Sequence, residues 1–280
     1  MSESTAFEVY NENSRALLVR NINSFEDSYY SMQVPHRKFG IQLSDSTIVD
    51  TTEYPLVDCL NYTIPTSEQS GVKIASSSAV DTGCFVFIIY LDNQYREQYE
   101  MVVLNGTTPV TMAAINLFRF VNAFVVSNAT GQETNQLYRN NGKVFWGKGA
   151  YNVSTGFAEN YAAMRVGLNV CGSPLVCVKQ NERHQIISIK YNNMSSKNIN
   201  FKVYMRPSSS APFVFVNEQT VLPYTCFVAD QRIGQTLDNP GTEFIHIAKL
   251  VGVGGPLSGE VSVQMSSRIF NASYYAPAPF

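Results

Sequence analysis

Between residues 84 and 126 the chain holds apolar runs too short and too rich in Val, Ile and aromatics to be helix faces, each bounded by Asn, Gly, Pro or Ser. The runs are 84–92, built on Phe85, Val86, Phe87, Ile88 and Ile89; 100–110, built on Met101, Val102, Val103 and Leu104; and 122–126, built on Phe124, Val125 and Val126. Short β-branched and aromatic runs at regular spacing predict strands of a sandwich or barrel. Asn105-Gly106 predicts a tight turn in which both central residues take positive φ. A phosphate-binding cradle needs a strand, a glycine cluster and a helix in succession, and this segment supplies none of that series.

Elsewhere the period of two is plain. Phe39, Ile41 and Leu43 alternate with Gly40 and Gln42; Phe201, Val203 and Met205 share one side of their segment; so do Val261, Val263 and Met265. One buried and one wet face is what antiparallel sheets allow. Further strands are predicted at 72–74, 185–190, 212–216 and 244–250, with turns at 192–193, 207–209 and 252–256. Ala113, Ala114, Leu117 and Phe118 recur at helical spacing, yet Pro109 and the neighbouring β-branched residues favour a loop over 111–120. The expectation is an all-β protein of two antiparallel β-sandwich (jelly-roll-like) domains with extended terminal arms. The boundaries read as an N-terminal arm over 1–30, a first sandwich over 31–155, a second over 156–275 and a C-terminal tail over 276–280. The sole tryptophan, Trp146, is placed at the edge of the first core, with a partner for its N–H nearby.

Several blocks in the middle of the chain resemble a known group. They are Ala75-Ser76-Ser77-Ser78-Ala79-Val80-Asp81-Thr82-Gly83, then Leu91-Asp92, Glu97 and Glu100, Leu104-Asn105-Gly106-Thr107-Thr108-Pro109-Val110, Arg119 and Asn122, and Asn141-Gly142-Lys143-Val144. In order and spacing they resemble structural proteins of double-stranded DNA viruses, a loosely defined group of virion proteins in marine tailed phages and large algal viruses. The chain departs from that pattern at Ala123, where the group carries a second arginine, and at Gly83-Cys84, where it carries a longer glycine segment. What the resemblance implies is a virion building block.

Composition agrees with assembly. Charged residues make up 15% of the 280 and aromatics 12%, so Asn, Ser, Thr and Gln supply much of the polarity. A surface poor in charge suits burial against neighbours better than a crowded free monomer. The formal charge of −2 argues against a broad nucleic-acid face, which needs clustered Lys and Arg. The densest basic stretch, His36-Arg37-Lys38, reads as a solvated loop. Met1-Ser2-Glu3-Ser4-Thr5 opens without a basic region and apolar core, so no secretory signal is expected there, and no run is long enough for a helical membrane span.

No residue pattern calls for catalysis. His36, His184 and His246 fall in separate segments without ligand spacing, and His246, on the face of Phe244, reads as a satisfied half-buried imidazole. Asp92, Glu97 and Glu100 are the one carboxylate trio dense enough to consider for glycan hydrolysis or calcium, but no repeat or converging oxygen loop accompanies them. Cys59, Cys84, Cys171, Cys177 and Cys226 lack zinc-knuckle spacing and read as reduced thiols, Cys84 and Cys226 as small buried hydrophobes within apolar runs. The Asn-X-Ser/Thr triplets at Asn61, Asn105, Asn128, Asn152, Asn193 and Asn271 are expected by chance in so Asn-rich a chain. The expectation is therefore no enzyme, no catalytic, cofactor-binding or metal residues and no cofactor. The chain reads as a virion structural protein: a vertex (penton), minor capsid or decoration component, assembled in the host cytoplasm or a viral factory. Its expected partners are copies of itself, as a homo-oligomer, and other capsid or virion proteins, with no direct nucleic-acid contact. The alternative is a tail or fibre protein that binds a host receptor or carbohydrate, with exposed aromatics stacking on a host glycan.

Overall fold

The computed structural model describes residues 31–42, 53–127, 140–168, 170–230, 236–237, 240–251 and 260–271. The arm expected over 1–30, the tail over 276–280, Asn128 and the turn at 252–256 lie outside them.

The described chain is all-β. Its strands are β1 (Ser31–Gln42), β2 (Glu53–Pro55), β3 (Lys73–Ser76), β4 (Phe85–Leu91), β5 (Glu97–Val103), β6 (Val110–Thr111), β7 (Arg119–Ser127), β8 (Val144–Asn152), β9 (Gly156–Met164), β10 (Val170–Gly172), β11 (Leu175–Cys177), β12 (Glu182–Asn193), β13 (Asn198–Arg206), β14 (Val214–Val221), β15 (Thr225–Asp230), β16 (Thr236–Leu237), β17 (Glu243–Val251) and β18 (Glu260–Asn271). Every pairing between them is antiparallel. Residues 112–118 form an irregular connection, as read from Pro109 and its neighbours.

Four sheets result. Two of them, β10-β7-β4-β5 and β6-β3-β8-β9, enclose one apolar core. Here Val86, Ile88, Phe120, Ala123 and Val125 meet Ile74, Val144 and Ala162, with Trp146 fully buried among them. Trp146 thus sits in the centre rather than at the edge, its ring 5.2 Å from that of Phe120, and its Nε1–H has no acceptor. The other two, β1-β18-β12-β15 and β11-β17-β13-β14, enclose a second core of Ile189, Tyr191, Ile199, Phe201, Val203, Phe244, Leu250, Val261 and Val263. The alternation read at 201–205 and 261–263 puts its apolar members into this core.

Strand pairing corrects the expected boundaries. A division at 155 would cut the β8–β9 hairpin, in which Asn152 lies opposite Gly156 and Val144 opposite Met164. The early strands β1 and β2, expected with the first sheets, pair instead with β18 and β17. His36-Arg37-Lys38, expected in a loop, is the middle of β1, opposite 263–265. The reason is that a strand's period of two fixes which face it buries and leaves its partner open.

β2 and β11 are two pieces of one edge. Pro55 lies opposite Ile247 and Leu175 opposite Ile245; between them, the Leu56 amide donates to the His246 carbonyl at 3.0 Å and the His246 amide donates to Pro174 O at 3.2 Å. The chain leaves this ladder at Leu56, builds the whole first sheet pair, and rejoins it at Pro174, a gap of one residue on β17.

The Asn-Gly turn also differs from its expectation. The Thr108 amide donates to Asn105 O at 2.9 Å, so Gly106 and Thr107 are the central pair and only Gly106 has positive φ, at 55°. The turn does not return the chain to its own sheet; it carries it from β5 in one sheet to β6 in the facing one.

Candidate functional site

In the middle segment, Ser76, Asn141 and Gly142, from two of the blocks of the resemblance, converge on Asp81. The 3-10 turn Ala79–Asp81 is capped by Ser78, whose side chain accepts from the Val80 amide. It delivers the Asp81 carboxylate, fully buried, to the loop before β8. Asp81 Oδ2 accepts from Ser76 Oγ at 2.5 Å and from the Gly142 amide at 2.8 Å, and Oδ1 accepts from the Asn141 amide at 2.8 Å. Gly106 leans on the same turn: its carbonyl accepts from the Ser76 amide, and a Cβ there would stand 2.9 Å from Ala79 Cα. These residues form a structural hub that ties the 3-10 turn to the loop before β8.

A second polar cluster lies between the two sheet pairs. Arg119 opens β7 and Glu243 opens β17; both are buried, at 1% and 0% side-chain exposure, and Arg119 Nε donates to Glu243 Oε1 at 2.7 Å. Arg206, opposite Glu243 on β13, donates from Nε and Nη2 to Oε2 at 2.6 and 2.5 Å. The Tyr95 hydroxyl adds a bond to Oε1 at 3.1 Å. Arg119 Nη1 donates to Pro65 O and Phe118 O, its guanidinium lies 3.6 Å above the Phe118 ring, and Nη2 has no acceptor. Burial pushes the Tyr95 phenol up to about 12, so it remains a donor at neutral pH. Tyr95 fits because Gly241, at φ +87°, has no side chain; a Cβ there would come within 2.8 Å of the ring.

Apolar packing surrounds these ions. Leu91 and Val121 from the first sheet pair meet Leu175, Ile245, Ile247 and Tyr204 from the second, with Phe213 at the rim. Glu243, Ile245 and Ile247 project together from the outer face of β17 because they alternate along the strand. Two cations and one anion held out of water are costly unless geometry satisfies them, so this joint works by fixing the two sheet pairs against one another. The sequence reading missed Glu243 and Arg206, and weighed Arg119 only as a block of the resemblance. The available signal was two charged residues at the ends of otherwise apolar strands.

The carboxylate trio is not brought together. Asp92, fully buried, closes the β4–β5 hairpin by accepting from the amides of Gln94 and Arg96 and from Arg96 Nε at 2.9, 3.0 and 2.8 Å. Burial raises its pKa, but these donors outweigh burial and hold the carboxyl below its ordinary value. Glu97 pairs with Lys179, and Glu100 accepts from the amides of Ala113 and Ala114. Each carboxylate ties down a different piece of backbone. Among the described residues no group of three His, Cys, Asp or Glu side chains is placed to hold a metal ion.

His184 and His246 are both buried, the latter fully rather than by half. His184 Nε2 lies 2.9 Å from Glu182 Oε2, while His246 sits on the core-facing side of β17 opposite the break between β2 and β11. Cys59, Cys84, Cys171 and Cys177 are buried and form no disulfide; Cys226, expected buried, is exposed on β15. Among the described residues no helix is long and apolar enough to cross a membrane.

No protein-family model and no curated protein matches the chain. Among solved structures, a crystal structure of the infectious bursal disease virus VP2 subviral particle aligns at 7% identity and a TM-score of 0.20, over 88% of this chain and 72% of that one. A likeness that slight carries no argument about fold or function.

Proposed function

We propose that the chain is a non-enzymatic structural protein of a virion, a capsid component at a vertex, minor or decoration position, acting through contacts with copies of itself and with other virion proteins. The observation that carries the proposal is the strand order of the second sheet pair. Read along the chain as β1, the split β2/β11, β12, β13, β14, β15, β17 and β18, eight strands fall into β1-β18-β12-β15 over β11-β17-β13-β14. We read that order as the pairing of a jelly roll, an architecture used by viral capsid and lectin domains. A second, smaller sandwich is inserted between β2 and β11, the two pieces of the split strand at the edge of the β11-β17-β13-β14 sheet. Because fold alone does not assign function, the reading leans also on the resemblance of 75–144 to virion proteins and on a surface poor in charge.

The role needs two properties that the molecule supplies: a joint that keeps the two sandwiches in one orientation, and strand edges free to meet neighbours. Assembly in a host cytoplasm or viral factory accords with five cysteines that form no disulfide. A moderate-resolution map of the intact particle tests the proposal: density for this chain at a shell position supports it, and its absence from the shell overturns it.

Exposed aromatics favour a second reading, a tail or fibre protein with a host-receptor or glycan role. Tyr99, stacked on Phe87 at 5.7 Å, and Tyr224 are 57% and 65% exposed, and open rings can stack on sugars. Glycan-array binding by the purified protein, together with density in a tail, decides for that reading.

A further inference from the structure

The edge of the jelly-roll pair formed by β14 and β15 departs from the alternation of more and less buried residues along β4 and β13. On β14, Val214, Phe215 and Val216 are exposed in succession; on β15, Cys226, Phe227 and Val228 are. Val214 and Phe215, opposite Met205 and Tyr204, point to opposite faces of their sheet, as do Phe227 and Val228, opposite Tyr191 and Lys190, while Val216 is the extra residue of a bulge before Asn217; apolar side chains are thus open on both faces of this edge. Strands written as continuous apolar runs are those buried on both sides. Here the run is present, and among the described residues the cover is not.

The two strands are outermost in their respective sheets, joined through Leu222 and Tyr224, themselves 60% and 65% exposed. Together with Val214, Phe215, Val216, Phe227 and Val228 they expose roughly 600 Å² of apolar surface, at the upper limit for a monomer's largest patch. A standard interface takes about 800 Å² from each partner, so this edge with its polar fringe is the size of one side of a specific contact. The three-residue core of each strand holds no charge, and Glu218 is the sole charged residue on β14, so a like surface meets no repulsion there.

We infer that the β14–β15 edge is the surface on which a second copy of this chain docks. The inference rests on the structural reading above, and deepens it by naming the contact. Occupation of this edge by the chain's own terminal segments, or by a different protein, is a separate outcome of the test.

Cys226 provides the probe, because it is the one exposed thiol and lies inside the patch. Full-length protein is followed by sedimentation over a concentration series while maleimide labelling of Cys226 is timed. The expected result is a concentration-dependent oligomer, with labelling slowed about fivefold once the total protein stands about ten times above a dimer's dissociation constant, where about a fifth of the chains remain monomeric. Val214→Lys with Val228→Lys should return the protein to monomer and restore fast labelling. A milder Val228→Thr should weaken association without the risk of misfolding, and Tyr99→Lys on the other sheet pair should leave it unchanged.

A monomer whose thiol reacts freely overturns the inference, as does a monomer whose thiol is protected, since its own segments then cover the edge. An oligomer that forms with Cys226 fully reactive, or that survives the double lysine variant, also overturns it. None of these results touches the virion reading, which the particle map decides; conversely, a shell lacking the chain would leave this contact measurable in solution.

Discussion

The joint between the sheet pairs and the β14–β15 edge invert the usual placement of polarity. At the joint, Arg119, Glu243, Arg206 and Tyr95 are enclosed by Leu91, Leu175 and Ile245; at the edge, Phe215, Phe227 and Val228 stand in water. The difference teaches what each region is for. Enclosed ions contribute little net stability but punish any misalignment, because removing one partner strands the others. Exposed apolar strands cost the monomer solubility and are retained where something else covers them. One region fixes a shape within the chain, and the other, on the docking inference, offers it to a neighbour.

The largest effect that would break this contrast is at Glu243. Glu243→Ala leaves two arginines buried without their carboxylate and should cost about 3–5 kcal/mol in urea unfolding. Replacing the three ions together, as Arg119→Met, Glu243→Leu and Arg206→Met, should recover most of that loss, and a deficit as large as the single variant's would show that the ions stabilise rather than orient. Asp81→Ala strands the Ser76 hydroxyl and the amides of Asn141 and Gly142, and should cost about 3 kcal/mol by the same measurement. Gly106→Ala forces a side chain into positive φ against Ala79 and should cost about 2 kcal/mol.

Acid should act on buried carboxylates before it acts on the edge. Asp92 has a lowered folded pKa, so its contribution is complete above the unfolded value near ~3.9 and is lost as pH falls through the folded value. Asp92→Asn should flatten the stability profile in that acid window, and an unchanged slope would remove the hairpin carboxylate from the account. The smallest folding effect is expected at the edge itself: Val228→Thr should change the monomer's unfolding free energy by about 0.5 kcal/mol or less. A larger loss would mean that the edge is part of the core and would erase the comparison.

Much of the fold was legible because the pleat is local. Val86 and Ile88, or Phe201 and Val203, announce a buried face within a few residues, and Pro109 rules out a helix in the segment that follows. The Asp81 hub was visible as spaced blocks whose roles, turn cap and carboxylate staple, became plain only when Asn141 and Gly142 were seen to close on it. The joint was illegible: Arg119 and Glu243 are separated by 124 positions, and nothing near either residue names the other. Cys226 reads as a small buried hydrophobe because the apolar run around it does not record whether a strand lies at an edge.

The sequence by itself determined that the chain is built from antiparallel ribbons, since side-chain alternation with period two and turn residues between the runs act over a few positions. Tertiary structure alone decided that Pro55 and Leu175 continue one strand across the entire first sheet pair, and that apolar residues on β14 and β15 have no cover within the described chain. Strand partnership is a long-range choice, settled by which faces bury the most apolar surface together, and no local pattern carries it.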